Sequence, residues 1–154
     1  MPRPQPVERP PRMRPPSREV AARMRRVKTS RTQPELETAR TLRAMRLKFR
    51  RNVRSLPGTP DFVLPDHRVA IFVHGCFWHG CPRCFRGTKR NSAWWREKLA
   101  RNRRRDRRKA RHLRAIGYQV IQLWEHDSPV RVERRVATAT RATTTRVKRT
   151  DTVR

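Results

Sequence analysis

The sequence predicts a single α/β domain in which a mixed β-sheet is flanked by helices, and three stretches carry that prediction. Phe62-Val63-Leu64 and Val69-Ala70-Ile71-Phe72-Val73 are β-prone apolar runs on either side of Pro65-Asp66-His67-Arg68, which has the composition of a turn. A long helical pattern runs from Ser92 to about Ile116, closed by Gly117. Tyr118 to Trp124 then forms a compact apolar strand, which the preceding helix returns to the same sheet.

The elements follow in chain order. Residues 1–17 hold seven of the 13 prolines among arginines, with almost nothing to bury, and are expected to form a disordered basic arm. A short helix is expected between Ser17 and Ser30. A clearer one runs from Thr32 to about Phe49, where Thr32-Gln33-Pro34-Glu35 has the form of a capping box. Leu56-Pro57-Gly58-Thr59-Pro60 is a rigid turn into the hairpin, and residues 85–92 read as a basic loop. The Ser92 helix places Trp95, Leu99, Asn102, Asp106, Ala110, Leu113 and Ile116 on one inward stripe. From Arg134 the chain alternates Thr with Arg and Val and supports no element. The expected division is therefore an arm at 1–17, a domain at 18–133 and a basic tail, without order, at 134–154.

Composition narrows the function. The 154 residues carry 41 Lys and Arg against 12 Asp and Glu, a net charge of +29. Such a field binds polyanions, so nucleic acid is the expected partner. No apolar run is long enough to span a bilayer and no signal peptide is evident, so a cytoplasmic protein, associated with the nucleoid, is expected. No apolar stripe is left over for a dimer, and a monomer is expected.

Chemistry concentrates in residues 61–84. If Leu64 pairs with Val69, Asp61 lies opposite Phe72 and shares a face with His74. Asp61 is then either a carboxylate that binds a divalent cation beside an imidazole or an ordinary residue following a turn. Cys76, Cys81 and Cys84 are odd in number and close together, which argues for a metal rather than a disulfide framework. They supply three soft ligands, and zinc needs a fourth, from His79 or from His126. Asn102 and Asp106 are polar positions on an inward stripe and need partners. Asp106 either holds a neighbouring arginine or hydrogen-bonds an imidazole; Glu35 is either a cap or an acid beside the metal.

Leu56-Pro57-Gly58-Thr59-Pro60-Asp61-Phe62-Val63, followed by Ile71-Phe72-Val73-His74-Gly75-Cys76-Phe77-Trp78-His79, resembles the very short patch repair DNA mismatch endonucleases. Trp95-Arg96-Glu97-Lys98-Leu99, Asn102, Asp106 and Leu123-Trp124-Glu125 extend the resemblance over residues 28–127. It implies a restriction-endonuclease-like fold with a structural zinc site and a magnesium-dependent cut on the 5′ side of the T in a T:G mismatch. That lesion arises by deamination of 5-methylcytosine, so the resemblance also implies association with a cytosine-5 DNA methyltransferase and with mismatch-repair proteins.

Position by position, the resemblance makes Asp61 and the main-chain carbonyl of Val73 magnesium ligands. His79 becomes the general base and Asp106 its acidic support, with His74 and Glu35 as further active-site residues. Phe77, Trp78 and Trp95 match an aromatic wedge entering the base stack; Trp95 also falls on the inward stripe, and the resemblance is followed there because a residue in the first turn of a helix can project past the core edge. The zinc set departs from the usual pattern. Cys76 matches directly, Cys81 and Cys84 are shifted in spacing, and His126 stands where a cysteine is usual. With His79 taken as base, His126 completes the set. The competing expectations are a related nuclease with a different DNA-structure preference and a zinc-stabilised DNA-binding protein without cleavage.

Overall fold

In a computed structural model, residue 15, residues 17–26 and residues 32–150 are described, without the side chains of residues 23, 24 and 143–150. Most of the expected N-terminal arm and the last four residues lie outside the described residues. The elements are α1 (Arg18–Arg25), α2 (Gln33–Ala44), β1 (Arg50–Arg51), β2 (Phe62–Leu64), β3 (Val69–His74), α3 (Cys76–His79), α4 (Ser92–Ala115), β4 (Gln119–Trp124) and α5 (Pro129–Thr150).

The four strands form one sheet in the order β1-β2-β3-β4. Leu64 pairs with Val69 and Phe62 with Ile71, the register anticipated for the hairpin, and a 3-10 turn at Pro65–His67 joins the two strands. β4 lies parallel to β3, with His74 beside Trp124. A parallel pair needs a crossover, and α3 and α4 provide it.

Because side chains alternate along a strand, the sheet has two chemically distinct faces. Phe62, Leu64, Val69, Ile71, Ile121 and Leu123 pack with Ala39 and Leu42 of α2 and with Val132, Val136 and Ala139 of α5. On the opposite face Ala70 and Phe72 pack against Leu113 of α4. Asp61 and His74 belong to that second face by parity. The result is three layers, with α2 and α5 on one side and α4 on the other.

Three expectations need correction, and one strand was not anticipated. The helix from Thr32 stops at Ala44 rather than Phe49, because Arg46 turns left-handed at φ 56° and the Leu47 amide donates back to Leu42 O at 3.1 Å. The chain released there forms β1, an unanticipated edge strand pairing Arg50 with Val63 and Arg51 with Phe62. Ile116 is 46% exposed because it ends α4 instead of continuing its buried stripe.

The segment from Arg134 is helical and extends the fold past residue 133. Val132, Val136 and Ala139 recur at helical spacing and are buried, a stripe that the surrounding Thr and Arg residues mask in the sequence. Its start is encoded by Ser128-Pro129, with Ser128 Oγ accepting from the Arg131 amide at 3.4 Å and Pro129 in the first turn.

Val136 is fully buried between α2, α5 and the sheet. Val136→Ala is expected to lower stability by about 2 kcal/mol, the usual scale for removing buried methyl groups and leaving a cavity. Urea unfolding read by circular dichroism measures this, and an unchanged midpoint would place α5 outside the cooperative fold.

Candidate active site

Asp61 leads into β2, and its Oδ2 accepts the Val73 amide at 2.8 Å. This bond fixes the carboxylate across the hairpin on the α4 side of the sheet. The side chain is only partly exposed, and burial raises its pKa to about 6 against the single backbone bond that favours the charged form. Glu35, Lys109 and His79 all contribute electrostatically at Asp61.

His74 ends β3 and is buried, its ring stacked on Phe72 at 6.2 Å and tilted against His79 at 4.1 Å. Burial first, and then the neighbouring His79, lower its pKa to about 4, so the ring is neutral at physiological pH. Its Nε2 is buried without a hydrogen-bond partner.

His79 closes the single turn α3, and the left-handed Gly80 after it (φ 61°) ends that turn. His79 Nδ1 lies 2.7 Å from Asp106 Oδ2 of α4. Burial opposes ionisation of Asp106, but the hydrogen bond and charge of His79 outweigh it and hold its pKa low. Asn102, one turn earlier, donates from Nδ2 to Trp78 O at 2.9 Å, and Arg103 donates to Gly80 O. The inward polar positions of α4 therefore clamp α3. His74, His79, Arg103 and Asp106 line a cleft of about 330 Å³ with Gln122 and Trp124.

Glu35 acts as the anticipated cap and also has a second set of neighbours. Its Oε1 accepts from Thr32 Oγ1 at 2.9 Å, as a cap, while its buried carboxylate faces Arg51 at 3.8 Å and acts on Asp61.

Cys76, Cys81, Cys84 and His126 form a second cluster, whose ligating atoms all lie within 4.8 Å of one another. His126 Nδ1 is 3.0 Å from Cys76 Sγ, 3.9 Å from Cys81 Sγ and 3.2 Å from Cys84 Sγ. Tetrahedral zinc with bonds of 2.0–2.3 Å separates such atoms by about 3.5–3.8 Å, and these distances bracket that range. His79 is engaged with Asp106, so the cluster's imidazole is His126. Burial and the two neighbouring thiols push the Cys76 thiol well above its ordinary pKa. At Cys81 burial also opposes ionisation, but hydrogen bonding from the Arg83 and Cys84 amides prevails and its pKa is lowered. Three thiols and an imidazole could hold a metal ion.

The aromatic residues pack on one another. Phe77 is 39% exposed and rests edge-on against Trp95 at 4.7 Å and Trp78 at 5.3 Å. Trp95 is buried and supports Phe77 from below, as its inward position on α4 dictates. The sequence reading missed two neighbours. Trp94 meets Trp95 at 5.0 Å, and Lys98 Nζ lies over the Trp94 ring at 4.7 Å. It also missed buried Asp127, which accepts the Trp124 amide at 2.9 Å and pairs with Arg131 at 2.9 Å. Asp127-Ser128-Pro129 is a helix-start pattern, and that was the available signal.

A family profile described as DNA mismatch endonuclease Vsr matches residues 15–84. The chain is 40% identical over 104 residues to the type II nicking enzyme V.XorIIP of Xanthomonas oryzae, covering 66% of this chain and 76% of that one. The chain belongs to the very short patch repair mismatch endonuclease family. It is also 40% identical to the DNA mismatch endonuclease Vsr of Escherichia coli, over 66% of each chain, and 35% identical to the type II nicking enzyme V.NmeAIP of Neisseria meningitidis, over 66% of this chain and 74% of that one. Family membership makes the mixed sheet restriction-endonuclease-like and the protein a phosphodiester-hydrolysing nuclease. Among the described residues, no helix is long and apolar enough to cross a membrane.

The raised pKa of Asp61 has a consequence for stability. The folded carboxyl, near 6, binds its proton more tightly than the unfolded one at 3.8, so stability falls as pH rises between these values. Asp61→Asn can still accept the Val73 amide and should make the metal-free protein more stable at pH 7, by up to about 3 kcal/mol, with the difference vanishing below about pH 4. His74 is present in both proteins and cancels in the comparison. Urea midpoints at pH 4 and pH 7 measure it; a variant less stable than wild type at pH 7 would contradict the burial argument.

Proposed function

We propose that the protein is a magnesium-dependent endonuclease that nicks DNA on the 5′ side of the T in a T:G mismatch arising from deaminated 5-methylcytosine. The observation that carries this reading is the His79–Asp106 pair, held at 2.7 Å on the sheet face that also carries Asp61. A DNA-binding protein without cleavage has no need of that pair. The working partners of such an enzyme are a cytosine-5 methyltransferase and mismatch-repair proteins, and it acts as a monomer in the cytoplasm.

In this reading Asp61 and the Val73 carbonyl hold magnesium, an ion that takes oxygen ligands. When bound, it stabilises charge on the scissile phosphate and on the leaving oxygen. Asp106 accepts the Nδ1 proton of His79, which fixes the ring and leaves Nε2 free to take a proton from the attacking water. Neutral His74, packed against His79, places no positive charge beside it that would oppose proton uptake there. Glu35 adds negative charge at Asp61, which favours a cation there. The base requirement near neutral pH is thus met by histidine without a second carboxylate.

Zinc is the ion proposed for Cys76, Cys81, Cys84 and His126, since three thiolates and one imidazole suit a closed structural site. Bound there, it would join the end of β3 to the segment after β4. Phe77, with Trp78 beside it and Trp95 beneath, forms the wedge. A mismatched pair is cheaper to unstack than a Watson-Crick pair, so the wedge selects for it energetically.

Incubation with labelled T:G and T:A duplexes, with magnesium or with EDTA, tests the reading. A magnesium-dependent nick on the T strand of the T:G duplex is expected, lost in Asp61→Ala. Tight binding without a nick across a broad panel of duplexes would favour a DNA-binding role, and nicking of other DNA structures in preference would favour a related nuclease. Asp106→Asn should reduce kcat about 10²–10⁴-fold, the range for loss of a positioned acid-base group, with little change in KM. Single-turnover kinetics separate the two, and a purely raised KM would assign Asp106 to binding instead.

A further inference from the structure

α4 is charged far beyond what its own acids neutralise. Between α4 and β4 runs an open groove of about 1040 Å³, lined by seven arginines of the helix and by Gln122. Glu97 faces Arg101 at 3.6 Å and Arg104 at 3.5 Å, whereas Asp106 is turned away to His79. Among the described residues, Arg107, Arg108, Arg111 and Arg114 form no ion pair. Like charges three and four residues apart destabilise a helix, so this row is costly to the free protein and is relieved by an external anion.

The groove also has a direction. Arg107 and Gln122 line both the groove and the smaller cleft that holds His74, His79 and Asp106. The arginine row therefore continues from the reacting centre. Arg104 to Arg114 spans about 15 Å of helix. Measured along the duplex axis, that length matches about four phosphates of one strand.

We propose that this groove holds the phosphodiester backbone of duplex DNA lying outside the mismatch, so that the protein grips a flank as well as the lesion. The inference rests on the nicking reading of the adjoining cleft. The anion it requires is extended, repeated and hydrated, as a phosphate backbone is. An acidic protein strand pairing with the β4 edge is disfavoured, because Arg135 of α5 already donates to the Gln122 carbonyl on that edge.

The test uses the full chain and two T:G duplexes, one barely covering the mismatch and one with flanks of about ten base pairs, titrated over a range of salt. The variant replaces three exposed residues outside the catalytic cleft, Arg108→Gln, Arg111→Gln and Arg114→Gln, with thermal unfolding as a folding control. The wild type should show a steeper dependence of log Kd on log salt with the long duplex than with the short one. The variant should lose two to three units of that slope on the long duplex, change little on the short duplex and nick at the wild-type rate when saturated.

Identical slopes for the two proteins on the long duplex would overturn the proposal and leave the arginines to a partner other than DNA. An equal loss on both duplexes would also overturn it, placing them at the mismatch itself. A slope difference without nicking by wild type would uphold the groove while removing the nicking reading, so the two failures are distinguishable.

Discussion

One residue step at the end of β3 governs the site. His74 is the last residue of the strand, Gly75 leaves it, and Cys76 begins a helix of a single turn that ends on His79. Four residues of helix cannot hold themselves in water, since nucleation is unfavourable and only the first hydrogen bonds are made. Their position is imposed from outside. Cys76 faces His126 at 3.0 Å, Asn102 donates to Trp78 O, and Asp106 meets His79 at 2.7 Å. The Cys3His cluster and the polar stripe of α4 thus both grip the same turn, and with it they place an imidazole and an exposed phenylalanine.

The same constraint explains the unusual electrostatics. In a protein of charge +29, Asp61 and Asp106 both lie on the α4 side of the sheet, and Glu35 of α2 acts on Asp61 electrostatically. Burial pushes Asp61 up to about 6, while its bond to the Val73 amide keeps it oriented. A carboxylate in that condition is poorly satisfied by the protein alone. Asp106 is the opposite case, because His79 compensates its burial and its pKa stays low. Two carboxylates on one face, with environments that separate their pKa values, are thereby suited to different tasks.

Much of this arrangement was legible in the sequence because it is local or periodic. The hairpin register followed from turn composition and alternation, and it put Asp61 and His74 on one face. Asp106 and Asn102 stood out as polar residues on an apolar stripe, and both turned out to have partners in α3. The resemblance to a family added the pairing of His79 with Asp106 and the choice of His126 over His79 for the cysteine cluster, which spacing alone left open. What stayed hidden was tertiary. β1 has only two residues, too few for a pattern, and exists because Phe62 and Val63 offer a free edge. α5 is concealed because Thr and Arg dominate its exposed faces, and only Val132, Val136 and Ala139 reach the core. Trp95 illustrates a mixed case: the resemblance favoured projection past the core edge over its stripe position, yet the structure buries it against Phe77.

In the proposed reading zinc at the cysteine cluster positions the turn that carries His79, so metal at that cluster and cleavage at His79 must be linked even with magnesium in excess. The direct measurement is nicking of a T:G duplex in excess magnesium by protein from which zinc has been stripped, with the His79 ring followed by NMR and the sheet by circular dichroism. The account predicts that nicking is lost together with the ordered His79 signal, that the sheet persists, and that added zinc restores both. Full nicking by the zinc-free protein, with an unaltered His79 signal, would contradict it.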